Sequence, residues 1–267
     1  MKNEVLFEEQ FEKIFLAAAE GDNDIIISFW RGGGNLNIRD SLGHSLVYLA
    51  AEHGHISTII FLHDRDARIN LPTSKGWTPL CIATLGGDLE VVKCLCSVGA
   101  ELSHCTRDET SVLSIACQAG HANILSYLHD HGAPLQTKDK EDTTPLMIAA
   151  YRGHVEVVRL LIAWGVDVCQ AGAGGVTPVN IAAQEGHVDI VQLLLLNGAN
   201  CNTPDEDGIT PVIIACHLGH SEVLRLLHKY GANMTQKSGA GASAMGVAVA
   251  GGHTDLVKLV YELWNDP

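Results

Sequence analysis

The amino-acid sequence predicts an all-α repeat solenoid, because three features recur at one fixed spacing. Ser or Thr returns every 33 residues, at Ser45, Thr78, Ser111, Thr144, Thr177, Thr210 and Ser243. In all seven places an alanine follows five residues later and a glycine nine residues later. Self-similarity at one period of this length is the signature of a repeat architecture. We therefore expect seven related units, preceded by a variant unit around Ala17, Ala18 and Gly21.

Each unit contains the signals of two short helices. Thr144 followed by Pro145 is typical of a helix start, since Thr caps the first turn and Pro fits its first position. Gly153 then supplies the left-handed residue at which the first helix ends. The segment 155–164, VEVVRLLIAW, has apolar residues at helical spacing and predicts the second helix. A connection must then reverse the chain direction before the next unit begins.

Two segments carry a specific family resemblance. Residues 142–168, DTTPLMIAAYRGHVEVVRLLIAWGVDV, and residues 175–202, GVTPVNIAAQEGHVDIVQLLLLNGANCN, resemble ankyrin repeats. The resemblance covers roughly residues 8–264 and implies an ankyrin-repeat array of helix-turn-helix units with β-hairpin fingers. The expected divisions are an N-terminal capping repeat at 1–39, six repeats of 33 residues at 40–236 and a C-terminal capping repeat at 237–267. No unit keeps the histidine of the family's Thr-Pro-Leu-His motif, so the hydrogen bonds at that position should differ.

The composition excludes several classes of partner. The formal net charge of −14 disfavours nucleic acid and anionic membranes. The longest apolar stretches, such as 157–164, are too short to span a bilayer.

The eight cysteines match no zinc spacing, and we interpret them as reduced and mostly buried thiols. We expect a cytoplasmic monomer without metal or cofactor, or a protein of the host cytoplasm if it is a secreted bacterial effector.

Two glycine-rich stretches raise the question of a phosphate-binding loop. QAGAGGVTP at 170–178 and KSGAGASA at 237–244 each precede a helix start, where backbone N–H groups can bind phosphate. No strand precedes them, no Gly-Lys-Ser or Gly-Lys-Thr follows, and both align with the connections between units. We interpret them as turns that need positive φ. The adjacent His104 and Cys105 have no orienting third group, so no catalytic residue is predicted.

Six units carry a Gly-His pair whose histidines recur too regularly to form a metal site. We interpret them as structural residues that hydrogen-bond to backbone between helices or repeats: His55, His121, His154, His187, His220 and His253. Trp30 and Trp264 fall in the second helices of the end units, where we expect them in the core.

The predicted function is a non-catalytic scaffold for protein–protein interaction, because an array of repeats exposes one long face without needing any chemistry. The resemblance places binding on the concave side, along the residue before each Ser or Thr and the two residues that end each first helix. These positions differ between units while their neighbours repeat. The predicted partner-binding residues are His44, Trp77, Leu85, Arg107, Thr110, Gln118, Lys140, Thr143, Tyr151, Arg152, Val176, Gln184, Ile209 and His217.

The partner is predicted to be a protein that presents an acidic segment to repeats two to four. Trp77, Tyr151 and Arg152 are of the residue types that dominate interfaces, and Arg107 and Lys140 add positive charge there. The acidic run 205–207 is either a solvated turn or a contact for a basic partner.

Alternatives from other classes stay open. The chain is alternatively the ankyrin part of a larger or truncated enzyme, or a bacterial effector. It is also a candidate substrate of asparaginyl hydroxylation, since the resemblance places Asn70 and Asn202 where hydroxylases modify similar proteins.

Overall fold

The computed structural model describes residues 2–265, and the side chains from residue 11 onward. Two compact units divide the chain, Met1–Thr137 and Lys138–Pro267. The helices of the first unit are α1 (Lys2–Glu20), α2 (Asn23–Arg31), α3 (Leu46–Glu52), α4 (Ile56–His63), α5 (Pro79–Gly86), α6 (Leu89–Ser97), α7 (Val112–Ala119) and α8 (Ala122–Asp130). Those of the second unit are α9 (Pro145–Arg152), α10 (Val155–Ala163), α11 (Pro178–Gln184), α12 (Val188–Leu196), α13 (Pro211–Leu218), α14 (Ser221–Lys229), α15 (Ala244–Ala250) and α16 (Thr254–Asn265). The expected capping repeats start at Met1 and finish at Pro267, which lie outside the described residues.

Within each unit the helices form two layers. First helices pack on first helices, α1 on α3, α3 on α5 and α5 on α7, and second helices pack on second helices, α4 on α6 and α6 on α8. The second unit repeats the arrangement, with α9, α11, α13 and α15 in one layer and α10, α12, α14 and α16 in the other. The prediction of an all-α repeat solenoid is thereby confirmed.

The Ser and Thr residues cap the first helices as predicted. In all seven places the side-chain oxygen accepts a hydrogen bond from the backbone N–H three residues on. The residue that supplies this N–H occupies the position of the family's histidine, which no unit keeps. In three repeats the side chain of that residue also forms a hydrogen bond with the capping hydroxyl. Thr78 Oγ1 donates to Cys81 Sγ at 3.2 Å, the hydroxyls of Ser111 and Ser114 are 3.0 Å apart, and Thr177 Oγ1 donates to Asn180 Oδ1.

The histidines of the Gly-His pairs join successive repeats. The imidazole Nε2 of His187 lies 3.2 Å from the carbonyl oxygen of Tyr151, 36 residues earlier. His55, His121, His220 and His253 make the same contact with Ala19, Leu85, Gln184 and His217. Each ring also packs closely against a glycine of the preceding repeat. His187 lies so near Gly153 that a Cβ added to this glycine would be only 2.7 Å from His187 Cε1. The interpretation of these histidines as structural is borne out for these five.

The connections between repeats contain tight turns that backbone hydrogen bonds close. The N–H of Thr73 donates to the carbonyl oxygen of Trp77 at 2.8 Å, and equivalent bonds close the other turns. In three places the residues on either side of such a turn also pair with each other. In the described part of the chain only isolated antiparallel bridges remain, Arg39 with Ser45, Cys105 with Ser111 and Lys237 with Ser243.

One position in every turn has positive φ, which explains the glycine-rich stretches. It lies two residues before the capping Ser or Thr and is occupied by Gly43, Gly76, Glu109, Asp142, Gly175, Gly208 and Gly241. Only glycine adopts this conformation without strain. Gly175 has φ +74° and Gly241 has φ +79°, so the interpretation of both stretches as turns agrees with the structure.

Two expectations about burial need correction. Trp30 is 40% exposed and Trp264 is 53% exposed, and Trp30 packs at the surface against Phe61 and Arg65. All eight cysteines are free, but only Cys81, Cys117, Cys201 and Cys216 are buried, while Cys169 is exposed. Cys169 lies in the connection between α10 and α11, directly after the buried Val168.

Candidate partner-binding face

Apart from Arg107 and Lys140, the predicted partner-binding residues occupy two kinds of position that recur in the repeats, and we call the surface that these positions form on each unit the turn–helix face. It consists of the residue before each capping Ser or Thr and the two residues that end each first helix. In the first row, His44, Trp77, Thr110, Thr143, Val176 and Ile209 are half-buried. In the second row, Leu85, Gln118, Tyr151, Arg152, Gln184 and His217 are exposed, as are Arg107 and Lys140 on the turns. In these repeats the turn therefore presents a half-buried residue and the end of the first helix an exposed one.

The turn–helix face of the first unit contains a groove of about 360 Å³ around Trp77. Its lining consists of Leu42, His44, Tyr48, Thr73, Ser74, Lys75, Trp77, Ile82 and Leu85. Aromatic, aliphatic and cationic side chains thus meet in one depression. The structure brings together the predicted residues His44, Trp77 and Leu85.

The turn before α5 holds Trp77 through both its backbone N–H and its backbone carbonyl oxygen. The Trp77 N–H donates to Thr73 Oγ1 at 3.1 Å, and its carbonyl oxygen accepts from the Thr73 N–H. The next turn is tied to this one, because the Arg107 N–H donates to the carbonyl oxygen of Lys75 at 3.1 Å. Trp77 therefore stands on a backbone that is fixed before any partner arrives.

His44 and Tyr48 form a stacked pair at the end of this groove. Their ring centroids are 4.7 Å apart and nearly parallel, and His44 Nδ1 lies 2.8 Å from Asp40 Oδ2. Burial, followed by the charge of Glu52, raises the pKa of Tyr48 to about 12. Its hydroxyl therefore stays protonated near neutral pH.

In the second unit, Tyr151 and Arg152 are neighbours on the turn–helix face. The Arg152 guanidinium lies 5.5 Å from the centroid of the Tyr151 ring, and this ring is 49% exposed. The preceding turn contains the half-buried Thr143 and the exposed Lys140. The N–H of Thr143 donates to Asp139 Oδ1 at 2.8 Å. These residues present an exposed aromatic ring and the cationic side chains of Lys140 and Arg152.

A second groove lies further along the second unit and differs in chemistry. It has a volume of about 410 Å³ and is lined by Gln184, Ile209, Ile213, Ile214, His217, Leu218, Ser238, Ala242 and Val247. Most of these side chains are aliphatic, and Leu218 is 42% exposed. The predicted residues Gln184, Ile209 and His217 meet here, whereas Val176 lies on the preceding turn.

An acidic turn leads directly into this groove. Asp205 has a structural role, because its Oδ1 accepts from the N–H groups of Asp207 at 3.0 Å and Ile209 at 2.8 Å. Glu206 and Asp207 are exposed. The following turn bonds to this one, with the Gly239 N–H 2.7 Å from the Asp207 carbonyl oxygen.

Sequence reasoning missed several groove residues. Leu42, Tyr48, Ile214 and Val247 were not predicted to take part, because they lie outside the two rows. Leu42 is 61% exposed in a turn that is otherwise polar, and this contrast was the one available signal. Tyr48, Ile214 and Val247 occupy first-helix positions that are apolar or variable throughout the array, so nothing in the sequence distinguishes them.

Asn70 and Asn202 tie successive repeats together. Asn70 Nδ2 donates to the Gly99 carbonyl oxygen at 3.0 Å, and its Oδ1 accepts from the Glu101 N–H at 3.0 Å. Asn202 makes the same pair of bonds, to Gly231 at 3.2 Å and from Asn233 at 2.6 Å. Both amides are therefore engaged in the folded structure.

The structure offers little support for other kinds of site. His104 Nε2 lies 2.7 Å from the Gly76 carbonyl oxygen, while Cys105 Sγ contacts the Ser103 carbonyl oxygen at 3.8 Å, so the two do not form a pair. Among the side chains of residues 11–265, no three of His, Cys, Asp or Glu converge as metal ligands. None of the helices described above has the length and apolar character needed to cross a bilayer.

Repeated pairs of packed helices, joined by hydrogen-bonded turns and carrying a variable exposed face, define a helical repeat protein. A family model for ankyrin repeats in three copies matches residues 14–105, 83–171 and 174–266. The chain belongs to the ankyrin-repeat family, whose repeats are generally non-catalytic modules for protein interaction.

Comparison with solved structures gives the same assignment. The crystal structure of the human ASB11 ankyrin repeat domain is similar, with 28% sequence identity and a TM-score of 0.76 over 84% of this chain and 100% of that one. No curated protein matches this sequence.

Proposed function

We propose that this protein is a non-catalytic scaffold that binds a partner protein through its turn–helix face. The groove around Trp77 is the observation that supports the proposal most directly. A half-buried Trp on a fixed turn, surrounded by exposed apolar and polar neighbours, has the arrangement of an interface hot spot. The ordering entropy lost on binding is small because the backbone of the turn is already held.

The partner at this groove is proposed to present an acidic segment. Lys75 lines the groove, and Arg107 is exposed on the next turn, to which Lys75 is joined by a backbone hydrogen bond. A carboxylate placed beside an apolar anchor would meet these cations while the anchor packs on Trp77. Charges at the rim mainly accelerate association and make it sensitive to salt.

Affinity capture with quantitative mass spectrometry tests the proposal. The full chain, a Trp77→Ala variant and a Trp30→Ala variant serve as baits in lysates of cells that express the protein. Trp30 is the matched control, since it is exposed in the same unit but lies on second helix α2, away from the turn–helix face. A partner captured by the full chain and by Trp30→Ala should be lost with Trp77→Ala.

Affinity measurements on the purified partner sharpen the test. Trp77→Ala should weaken binding by about 2 kcal/mol or more if Trp77 is a hot spot. Arg107→Glu should slow association and reduce its salt dependence. A partner that binds all three baits equally, while all three are folded, would contradict the assignment to this groove.

A further inference from the structure

The aliphatic groove of the second unit and the acidic turn that leads into it occur together. Four branched aliphatic side chains, at Ile209, Ile213, Ile214 and Leu218, line one depression on the turn–helix face. Isolated apolar side chains are common on protein surfaces, but a group of them in a concave site marks a place of contact. The groove volume of about 410 Å³ accommodates a few side chains rather than the surface of a whole domain.

The charges around this groove are unbalanced. Glu206 and Asp207 are exposed on the turn that ends at Ile209, and Glu185 directly follows the groove residue Gln184. Lys237 is exposed on the next turn and directly precedes the lining residue Ser238. Three acidic residues, Glu185, Glu206 and Asp207, thus lie in sequence near the lining residues against one cation, Lys237, and the net charge of −14 for the whole chain has the same sign.

This charge distribution selects among possible occupants. A second copy of this chain would bring further negative charge toward an edge that is already acidic. A segment with an aliphatic side chain beside Lys or Arg would bury the apolar group and place its cation near Glu206 and Asp207. Electrostatic complementarity of this kind guides encounter and suppresses wrong partners.

Resting on the proposed function, we infer that the second groove binds a short protein segment in which an aliphatic anchor is flanked by lysine or arginine. The anchor packs against Ile214 and Leu218. The basic flank lies along the acidic turn, where Asp205 holds the backbone through its two hydrogen bonds. This chemistry is opposite in charge to that proposed for the Trp77 groove.

Selection from a library of random short peptides displayed on phage tests the inference, with the full chain as target. Enriched peptides are synthesised with a fluorescent label, and their affinity is measured by fluorescence anisotropy. The expected result is a consensus of Leu, Ile, Val or Met next to Lys or Arg. Replacement of the basic residues by Gln should weaken the selected peptide and remove most of its salt dependence.

Two variants assign the peptide to the groove. Leu218→Ala removes an exposed part of the lining, and Glu206→Lys/Asp207→Lys reverses the acidic edge. Each should weaken peptide binding by about tenfold, as expected for an interface anchor and for a pair of rim charges. The charge-matched control is Glu222→Lys/Asp255→Lys, which changes net charge equally at exposed residues of second helices α14 and α16 and should alter affinity less than about twofold.

The outcomes separate the inference from the proposed function. Peptides that require Trp77 but are unaffected by both groove variants would show that the inference is wrong while leaving partner binding intact. A consensus without basic residues, or no enriched peptide, would also overturn it. Equal loss of binding in Glu206→Lys/Asp207→Lys and in its control would indicate general attraction to an acidic protein, which the inference does not allow.

Discussion

The junctions between repeats and the turn–helix face use the same backbone for different purposes. At the junctions the residues recur, with a Gly-His pair such as Gly153 and His154 or Gly186 and His187 in almost every unit. On the turn–helix face the equivalent positions change from Trp77 to Thr143 to Ile209. The junction residues are constrained because each must match its neighbours, whereas a face residue is only half-buried or is exposed. Stability and recognition are thus carried by separate residues of one 33-residue unit, and they can be perturbed separately.

Thiol labelling gives the largest expected contrast between the interior of the repeats and their edge. The exposed Cys169 should react with a thiol reagent in the native protein about a thousandfold faster than the buried Cys216, which must await local or global opening. Mass spectrometry after timed labelling at neutral pH measures both rates. Rapid native labelling of Cys216, with Cys169 no faster, would show that the interior opens freely.

The same buried thiol predicts a loss of stability at alkaline pH. Burial raises the pKa of Cys216 from 9.0 to about 12. Between these values the unfolded chain has released a proton that the folded chain retains, so stability falls as pH rises. Urea unfolding of the Cys216→Ala variant should show a smaller decrease between pH 9 and pH 10 than the parent chain does.

Substitution of junction glycines separates steric fit from backbone strain. Gly153 and Gly165 have φ values of +77° and +78°, but an added Cβ would meet His187 only at Gly153 and nothing at Gly165. Gly165→Ala should cost about 1 kcal/mol of unfolding free energy from strain, and Gly153→Ala about 3 kcal/mol because the imidazole must also move. Equal losses in urea unfolding would mean that the Gly-His contact contributes nothing.

The C-terminal repeat should be the least stable of the second unit, since its first helix buries only Ala244 and Ala248. Val249 is 62% exposed there, whereas the equivalent Ala183 and Cys216 are buried. We expect amides of residues 243–264 to exchange with an opening free energy about 2 kcal/mol below that of residues 177–228. Amides of α16 that exchange as slowly as those of α12 would contradict this.

The smallest effect is expected in a turn of the first unit. Glu109 has φ +60° at the position that Gly43 and Gly76 occupy in other repeats. Glu109→Gly should stabilise the chain by up to about 1 kcal/mol, because glycine adopts this conformation without strain. Asp108→Gly is the control, and it should be neutral or destabilising since Asp108 lies outside the left-handed region.

The fold was predictable from sequence because its determinants are local and repeated. Thr144 caps its helix and His187 joins two repeats as the spacing indicates, and each motif recurs often enough to be recognised. The candidate site was predictable only in part. The rows that contain Trp77 and Ile209 follow from the register, but the grooves depend on which side chains of adjacent repeats leave space between them. The stacking of Tyr48 on His44 and the meeting of Ile214 and Val247 in one groove depend on tertiary packing, which the spacing of residues does not specify.

The histidine contacts have a consequence for how chain length can vary. In the second unit His187, His220 and His253 each bond to a carbonyl oxygen 36 residues earlier, and each follows a glycine. Removal of residues 187–219 would join Gly186 to His220 and leave the same Gly-His sequence at the junction. His220 would then face Tyr151, and His253 would face Gln184, with every donor and acceptor matched. Deletion or duplication of whole repeats therefore preserves the bonding pattern, which gives such a gene a neutral route to longer or shorter binding surfaces.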